Sequence, residues 1–378
     1  MSSAATADGD YSLLVRSSSH LAALHGAVLD RVRTSLGARF GEVEIISTIP
    51  SVTDFAFRGT AYGRPVVIKC SYGGLSIARL MHLVARGVDV QRMADERRES
   101  LPFSPEAMSL RWLSDVLGEH NIYVPQVLHD DGDVVIMEDL GVAGGGHQPF
   151  RESVNNLWPA LSALWRRTAR TDAMRRVVRI NAEKSIEAIF RRKFRSRDIL
   201  RATRDDFADP NDWAVFAGLR DAISGTYPLV DTRIRLIYGD LKPEHLLFRR
   251  GTLSLIDPAL RLGSPAEDMA RFLIRAACAS DGEDARSYSA ECIESAEKTV
   301  AELPRRKVLR FMAMDWLNII STWHLRRRAY RARATLTPAE RRQGVLLQRS
   351  LLRASAVDVM ELTWELSACM ESQEEKVE

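Results

Sequence analysis

The sequence predicts an α+β protein with a small antiparallel-sheet lobe at the N-terminus and a large, mostly helical lobe after it. Three observations support this prediction. Short segments of alternating apolar and polar residues are concentrated before residue 140, and long arginine-rich amphipathic helices follow from about 151. Two short apolar strands at 235–238 and 253–256 interrupt the helices and predict a central hairpin with its turn at 249–252.

The N-terminal lobe is predicted to contain an antiparallel sheet and two helices. The expected strands lie at 43–49, 55–58, 65–69, 123–128 and 134–137. Helical periodicity predicts one helix over 76–99 and another over 105–117, with Ser104 as N-cap and Pro105 at the first helical position. The first of these helices is an insertion between the sheet strands.

A glycine-rich segment at 141–146 marks the boundary between the lobes. Beyond it, helices are expected over 151–225 and again over 265–370. The predicted organisation is a disordered N-terminus at 1–10, an N-terminal lobe at 11–140, a helical C-terminal lobe at 141–370 and a disordered tail at 371–378.

Composition excludes several classes of protein. The 378 residues are 46% hydrophobic and carry a formal net charge of +3, which disfavours a disordered chain and a strongly cationic nucleic-acid binder. Four cysteines without a CxxC pair disfavour a zinc site or a disulfide framework. No apolar run approaches about 18 residues. We therefore expect a cytoplasmic protein without nucleic-acid or membrane partners.

Polar residues that follow the two central strands are the candidate chemical groups. Asp240 follows the first strand and Asp257 the second, so the two carboxylates can converge. Asp240 can orient or deprotonate an attacking hydroxyl, and Asp257 can bind a divalent cation that carries phosphates. His245 can add a ligand. The alternative is that each aspartate only caps a turn, but two acids with Lys242 between them favour a site.

Three segments resemble the signature of aminoglycoside phosphotransferases and choline kinase-like enzymes. They are 239–248 (GDLKPEHLLF), 255–258 (LIDP) and 263–270 (GSPAEDMA). The family pattern is H-G-D-x-x-x-x-N, then I-D-F or I-D-W, then G-x-P-x-x-D-L-A, and the spacing agrees. In the first lobe the resemblance includes Lys69 after an apolar strand, and Glu106 before a Leu-x-x-Leu pattern.

The resemblance implies a protein-kinase-like fold that transfers the terminal phosphoryl group of ATP or GTP to a hydroxyl of a small molecule. Asp240 takes the catalytic-base position, and Asp257 takes the main metal-ligand position. Lys69 would pair with the α- and β-phosphates, with Glu106 holding it. Such transfer depends on positioning and charge neutralisation rather than on covalent chemistry by the protein.

Further nucleotide contacts are implied by the same resemblance. Backbone groups of Glu138 and Leu140, between the lobes, would bind the base edge of the purine. Ser51 and Thr53 would contact phosphate from the loop between the first two strands. The insertion at 76–99 leaves Glu96 and Glu99 as competing partners for Lys69, although the order of motifs favours Glu106.

The sequence departs from the family pattern at two positions. Tyr238 replaces the histidine before Gly-Asp, and His245 replaces the asparagine. Imidazole is a softer ligand than an amide oxygen, so His245 can shift the metal preference from Mg²⁺ towards Mn²⁺. His245 and the absence of glycine from the predicted phosphate loop also favour an alternative function. In this alternative the protein is a pseudokinase that binds a nucleotide and regulates a partner.

A Ser/Thr protein kinase is the other alternative, because the Asp240-to-Glu244 segment resembles the catalytic loop of those enzymes, in which the lysine contacts the transferred phosphate. Lys242 takes that position. Against this alternative, Gly239 replaces the kinase arginine and Pro258 replaces the phenylalanine of Asp-Phe-Gly. The small-molecule kinase is therefore the favoured interpretation.

The sequence predicts only the class of the acceptor, which is an aminoglycoside-like or other antibiotic or a secondary-metabolite sugar. The corresponding biological process is antibiotic resistance or biosynthesis. Acidic residues that could bind a cationic acceptor are Asp281, Glu283, Asp284 and Asp315. The arginine-rich helix faces can form a pocket for an anionic acceptor, or they are exposed to solvent and bind no ligand. Trp316, Trp323 and His324 can line a pocket or lie in the core. The sequence does not indicate an oligomeric state.

Overall fold

The structure is a computed structural model, and it describes a defined part of the chain. The described residues are 26, 30, 32–33, 43–49, 55–70, 88, 92, 103–141, 154–169, 171–194, 204, 207–225, 234–249, 251–278, 283–328, 335–353 and 358–371. Side chains are described for all of these except 249, 283–286, 322–328 and 370–371. The predicted helix at 76–99 lies outside the described residues except for positions 88 and 92, and the predicted disordered end at 1–10 lies wholly outside them. Of the predicted disordered tail at 371–378, residue 371 is described and is the last residue of a helix, and the rest lies outside the described residues.

Contacts divide the chain into two compact units. One contains Met1–Trp112 and Pro125–Gly141, and the other contains Leu113–Val124 and Val142–Glu378. The smaller unit holds a mainly antiparallel sheet, and the larger unit is mostly helical. The predicted α+β class, with a small sheet region before a large helical region, is confirmed.

Ten strands are described. They are β1 (Val43–Ile49), β2 (Phe55–Ala61), β3 (Arg64–Cys70), β4 (Ile122–Tyr123), β5 (Val127–Asp130), β6 (Val134–Glu138), β7 (Arg235–Ile237), β8 (Leu246–Arg249), β9 (Thr252–Leu255) and β10 (Arg261–Gly263). The predicted strand at 123–128 is two strands, because Pro125 in its middle cannot donate a ladder hydrogen bond.

The described helices are numbered in chain order. They are α1 (Pro105–Gly118), α2 (Leu157–Arg166), α3 (Asp172–Asn181), α4 (Ile186–Phe194), α5 (Pro210–Gly225), α6 (Pro265–Ala277), α7 (Glu283–Ala301), α8 (Arg305–Arg328), α9 (Pro338–Arg353) and α10 (Val359–Glu371). Two 3₁₀ turns, Ala182–Lys184 and Pro243–His245, lie between them. No described helix has the length and apolar character needed to cross a membrane.

The sheet of the smaller unit has the order β1-β2-β3-β6-β5, and each of its neighbouring strands is antiparallel. A two-residue turn joins β2 to β3. Its residues, Tyr62 and Gly63, have φ angles of 51° and 69°. Positive φ at both positions matches the twist of a tight hairpin. The register places Lys69 of β3 opposite Val135 of β6.

The predicted pairing of the two central strands is wrong. β9 pairs with β8, and the two strands form a tight hairpin in the register Leu246↔Leu255. β7 pairs instead with β10, in the register Ile237↔Arg261. The four-residue β8 and three-residue β10 are too short to show a period of two. The turn at 249–252 is where the sequence places it, but it joins β8 to β9.

Helix α6 is the centre of the larger unit. Eleven of its residues are buried, including the charged residues Glu267, Asp268 and Arg271. It packs on α7 and α8 and contacts β7. Burial of charged groups is costly unless they are paired. These three side chains therefore have to find their partners in the loops and helices around α6.

Candidate active site

The loop after β7 carries the predicted catalytic residue, and its backbone conformation is restricted at Gly239. Gly239, directly before Asp240, has a φ of 88°. A Cβ added there would lie 2.1 Å from the carbonyl oxygen of Ala259. Both the positive φ and the close backbone require glycine. The loop therefore turns sharply at residue 239 and presents the next side chain in a fixed direction.

Asp268 in the first turn of α6 anchors the backbone of this loop. Its carboxylate accepts hydrogen bonds from the N–H of Tyr238 at 2.8 Å and of Gly239 at 2.7 Å. Burial raises the pKa of Asp268 to about 6, although Arg261 and the two backbone donors favour the ionised form. The buried carboxylate of Asp268 thus fixes the backbone of the loop through these two hydrogen bonds.

Both oxygens of Asp240 lie next to cations. Oδ2 is 2.9 Å from Nζ of Lys242, and Oδ1 accepts a hydrogen bond of 2.9 Å from Nη1 of Arg271. The side chain of Asp240 remains 27% exposed. Burial opposes its ionisation, but the charges of Lys242 and Arg271 outweigh burial and hold the pKa of Asp240 well below its usual range. Asp240 is therefore a carboxylate at neutral pH.

The two predicted metal ligands lie together in the same unit. Nε2 of His245 is 3.7 Å from Oδ2 of Asp257. The N–H of Ile256 donates to the carbonyl oxygen of His245 at 3.1 Å, which ties the loop to the end of the β9 segment. Asp257 has a φ of 58°, an uncommon left-handed conformation for an aspartate. Such conformations are found at sites where a side chain must be aimed.

A divalent cation fits this pair. Among the described residues no group of three or more His, Cys, Asp or Glu could hold a metal ion by itself. Mg²⁺, however, is commonly bound by one or two protein carboxylates together with substrate phosphates and water. The carboxylate of Asp257, which is 38% exposed, and the imidazole of His245 can supply the protein part of such a site.

In the smaller unit, Lys69 pairs with Glu106. Nζ of Lys69 is 2.7 Å from Oε1 of Glu106, and both side chains are largely buried. Lys69 lies near the end of β3, and Glu106 lies in the first turn of α1. The structure thus brings together the two residues that the sequence predicts as partners. The competing residues Glu96 and Glu99 lie outside the described residues.

The end of β6 and the segment that follows it contain the predicted base-binding residues. The N–H of Glu138 donates to the carbonyl oxygen of Gln126 at 3.0 Å. Arg58 of β2 fixes the same segment, since its Nε lies 3.4 Å from Oδ2 of Asp139 and its Nη2 lies 3.4 Å from the carbonyl oxygen of Gly141. Leu140 lies between these two anchored residues. Sequence reasoning did not identify Arg58.

Ser51 and Thr53, the predicted phosphate-loop residues, lie outside the described residues, as does Asp281. The side chains of Glu283, Asp284, Trp323 and His324 also lie outside them. Of the predicted acceptor residues, Asp315 and Trp316 are described. Trp316 is fully buried and donates to Oε1 of Gln343 at 3.3 Å, so it belongs to the core. Asp315 is buried between Arg271 and Arg275.

Arg271 is the main residue that sequence reasoning missed. It lies three residues after Asp268, so the two side chains share one face of α6. A detectable signal was present, because an arginine in this otherwise apolar stretch of a helix must find a buried partner. The partner could not be identified from the sequence because its pairing depends on how the loop and the helix meet.

No protein-family model matches the sequence, and no curated protein matches it significantly. Solved structures do match. A thermostable mutant of aminoglycoside phosphotransferase APH(4)-Ia, in ternary complex with AMP-PNP and hygromycin B, has a TM-score of 0.50 and 12% identity, over 87% of this chain and 99% of that chain. At this identity the likeness shows a shared fold.

Two further solved structures match with lower TM-scores. The amicoumacin kinase hAmiN, in complex with AMP-PNP, Ca²⁺ and Ami, has a TM-score of 0.48 and 10% identity, over 87% of this chain and 95% of that chain. An aminoglycoside-3'-phosphotransferase of type VIII has a TM-score of 0.45 and 16% identity, over 76% of this chain and 98% of that chain. The fold expected from the sequence resemblance, that of the small-molecule phosphotransferases, is confirmed.

Proposed function

We propose that the protein is a phosphotransferase that moves the terminal phosphoryl group of ATP or GTP to a hydroxyl group of a small molecule. The observation that carries the proposal is the carboxylate of Asp240, held at the end of β7 between Lys242 and Arg271 in the same unit as Asp257 and His245. We further propose that the protein acts in the cytoplasm, where both nucleotides are available.

Asp240 acts on the acceptor. Its Oδ2 accepts a hydrogen bond from the acceptor hydroxyl and orients the oxygen lone pair towards the terminal phosphorus. The new oxygen–phosphorus bond forms as the bond to the bridging oxygen breaks, and the nucleoside diphosphate leaves. Because the pKa of Asp240 is held well below its usual range, it is a weak base. Its role is mainly orientation, and it takes the proton late in the transfer.

Other residues bind the nucleotide. Lys69, held by Glu106, pairs with the α- and β-phosphates, and Lys242 contacts the phosphoryl group during transfer. Backbone groups of Glu138 and Leu140 bind the purine, and Ser51 and Thr53 contact phosphate. Asp257 and His245 would hold Mg²⁺ or Mn²⁺, which neutralises phosphate charge when bound.

The acceptor class that we propose is an antibiotic or a secondary-metabolite sugar. The resemblance in sequence supports it, through the catalytic loop and the segment around Asp257. The arginines that enclose Asp315 do not support a role of this residue in binding a cationic acceptor, because its charge is already compensated. A useful acceptor panel therefore contains neutral and anionic sugars as well as aminoglycosides and macrolides.

One experiment tests nucleotide binding without knowledge of the acceptor. The melting temperature of the wild type and of Asp257→Ala is measured with ATP or GTP and with Mg²⁺ or Mn²⁺. A ligand that binds only the folded state raises stability by RT ln(1 + [L]/Kd). We expect a metal-dependent increase that is lost in Asp257→Ala. No increase with any pair of nucleotide and metal would contradict the proposal.

A nucleotide-binding pseudokinase is the second candidate. The observation that favours it is His245, which replaces the family asparagine and lies 3.7 Å from the carboxylate of Asp257. This candidate predicts a nucleotide-induced increase in melting temperature with no phosphoryl transfer to any acceptor or to water. Measured formation of nucleoside diphosphate by the wild type, but not by Asp240→Asn, would exclude it.

A further inference from the structure

Arg271 of α6 contacts the catalytic loop with one of its terminal nitrogens and a neighbouring 3₁₀ turn with the other. Nη1 donates to the carbonyl oxygen of Gly239 and, at 2.9 Å, to Oδ1 of Asp240. Nη2 lies 3.5 Å from the carbonyl oxygen of Lys184. The side chain is only 4% exposed. One buried guanidinium thus connects the backbone and the carboxylate of the loop to the 3₁₀ turn before α4.

Asp315 of α8 lies behind this guanidinium. Its Oδ2 is 3.9 Å from Nε of Arg271 and 3.4 Å from Nε of Arg275, and its side chain is 3% exposed. Burial alone would weaken the charge of Arg271, but Asp315 and Asp240 raise the pKa of the guanidinium. Arg271 therefore stays protonated between two carboxylates.

Anchoring of the loop does not by itself require this arrangement. Asp268, three residues earlier on the same helix, already binds the N–H groups of Tyr238 and Gly239. A buried ion pair is often no more stabilising than apolar side chains of the same volume. Arg271 adds two contacts that the carboxylate of Asp268 cannot make, one with the carbonyl oxygen of Gly239 and one with the side chain of Asp240.

We propose that Arg271 is a positioning residue that fixes the carboxylate of Asp240, and that Asp315 holds Arg271 in place. With Oδ1 bound by Arg271, the carboxylate cannot rotate freely, and Oδ2 is the oxygen that faces the acceptor. Small displacements of a positioned group reduce turnover strongly while leaving substrate affinity almost unchanged. This inference rests on the proposed phosphotransferase function.

The test uses water as the acceptor, so that no acceptor needs to be known. ADP formation from ATP and Mg²⁺ is measured for the wild type, Arg271→Lys and Arg271→Met. We expect kcat to fall by about tenfold or more in Arg271→Met. The KM for ATP and the ATP-induced increase in melting temperature should stay close to wild type. Arg271→Lys should recover part of kcat, because an ammonium group can still pair with Asp240.

Arg275→Met is the matched control. Arg275 lies one turn further along α6 and pairs with the same Asp315, but it does not contact Asp240. Its kcat should stay within about twofold of wild type, since the oriented carboxylate is untouched. Equal losses of kcat in Arg271→Met and Arg275→Met, or wild-type kcat in Arg271→Met, would overturn the inference.

Two further measurements distinguish a folding defect of Arg271→Met from failure of the proposed function. If Arg271→Met does not fold, Asp315→Asn and Arg271→Lys are compared in the same assay. Reduced kcat at unchanged KM in both variants supports the inference, and wild-type kcat in both overturns it. A wild type that neither forms ADP nor is stabilised by ATP overturns the proposed function itself, and the inference with it.

Discussion

Nζ of Lys242 lies 2.9 Å from Oδ2 of Asp240, two residues earlier in the chain. The loop conformation alone brings these charges together, because Gly239 turns the chain at a position where a side chain would collide with Ala259. The ammonium group of Lys242 helps to hold the pKa of Asp240 well below its usual range, so the carboxylate stays ionised and weakly basic. In the proposed reaction the same ammonium group contacts the transferred phosphoryl group.

Replacement of Asp240 by asparagine should remove turnover but not nucleotide binding. The amide keeps the size of the side chain but loses the charge that orients the hydroxyl. We expect nucleoside diphosphate formation to fall by about 10²–10⁴-fold. The nucleotide-induced increase in melting temperature should remain. Full activity of Asp240→Asn would contradict the role assigned to this residue.

Replacement of Lys69 should weaken nucleotide binding. Loss of the ammonium group in Lys69→Met removes its contact with phosphate, and we expect Kd to rise by about tenfold, equivalent to about 1.4 kcal/mol. Glu106→Gln should have a smaller effect, because Lys69 is retained. Titration of the melting temperature with ATP measures both effects.

Arg111→Met is a control for the Lys69 experiment. Arg111 lies in the same unit, is about half exposed, and pairs with the buried carboxylate of Asp130 at 3.1 Å. In Arg111→Met the carboxylate of Asp130 keeps the hydrogen bonds that it accepts from the N–H groups of Ser104 and Gly132. The nucleotide affinity of this variant should equal that of the wild type. An equal loss of affinity in Arg111→Met and Lys69→Met would show that the effect of Lys69 is structural.

His245→Asn should change the metal preference. The substitution introduces the residue that the resembled family has at this position and replaces a nitrogen ligand by an oxygen ligand. Oxygen ligands favour Mg²⁺ relative to transition metals. We expect the ratio of nucleotide affinity with Mn²⁺ to that with Mg²⁺ to decrease. An unchanged ratio would show that the imidazole of His245 does not contact the metal.

Gly239→Ala should destabilise the protein much more than Gly251→Ala. Both glycines have positive φ, 88° and 80°, but an added Cβ meets the Ala259 carbonyl only at residue 239 and meets nothing within 4 Å at residue 251. Backbone strain alone costs about 1–3 kcal/mol. Urea unfolding should show a loss in this range for Gly251→Ala and a larger one for Gly239→Ala. Equal losses would contradict the close approach.

Lys193 makes stability depend on pH. Burial lowers the pKa of Lys193 to about 8 from an ordinary value of 10.5. Between these values the unfolded chain binds the proton and the folded chain does not, so Lys193 makes the protein more stable as pH rises. At pH 7 the lysine is charged in both states, and its burial costs stability.

Lys193→Met tests this pH dependence. The variant should be more stable than wild type at pH 7 by on the order of 1 kcal/mol, and it should lose the increase in stability above pH 8. The exposed neighbour Lys184 serves as a control, and Lys184→Met should follow the wild-type profile. A Lys193→Met variant that is less stable at pH 7 would show that the hydrogen bond of Lys193 to Ser321 outweighs its burial.

Local patterns predicted much of the fold. Helix α1 and the strands β1, β2, β3 and β6 of the first sheet are found where the Ser104–Pro105 start and the alternation place them. Asp240, Lys242, His245 and Asp257 occur in one unit. The register of the central strands was not predictable. β7 and β10 are three residues each and lie more than 20 residues apart in the chain, so their pairing depends on tertiary packing.

The ion pairs around Asp240 also could not be predicted from the sequence. Asp315 was considered as an acceptor ligand because it is an acidic residue on a helix, yet its partners come from another helix. Arg271 stands in a buried helix whose apolar pattern gives no partner for it. In both cases the role of the residue is set by the packing of α6 on α8, which no local pattern encodes.

Phosphorylation of a hydroxyl group of a small molecule is the proposed activity of this protein. The most direct test is to incubate the wild type and Asp240→Asn with ATP or GTP, Mg²⁺ or Mn²⁺ and the acceptor panel, and to search for phosphorylated acceptors by mass spectrometry. We expect at least one acceptor to gain a single phosphoryl group with the wild type and not with Asp240→Asn. Nucleotide binding by the wild type without phosphoryl transfer to any acceptor or to water would contradict the proposed activity.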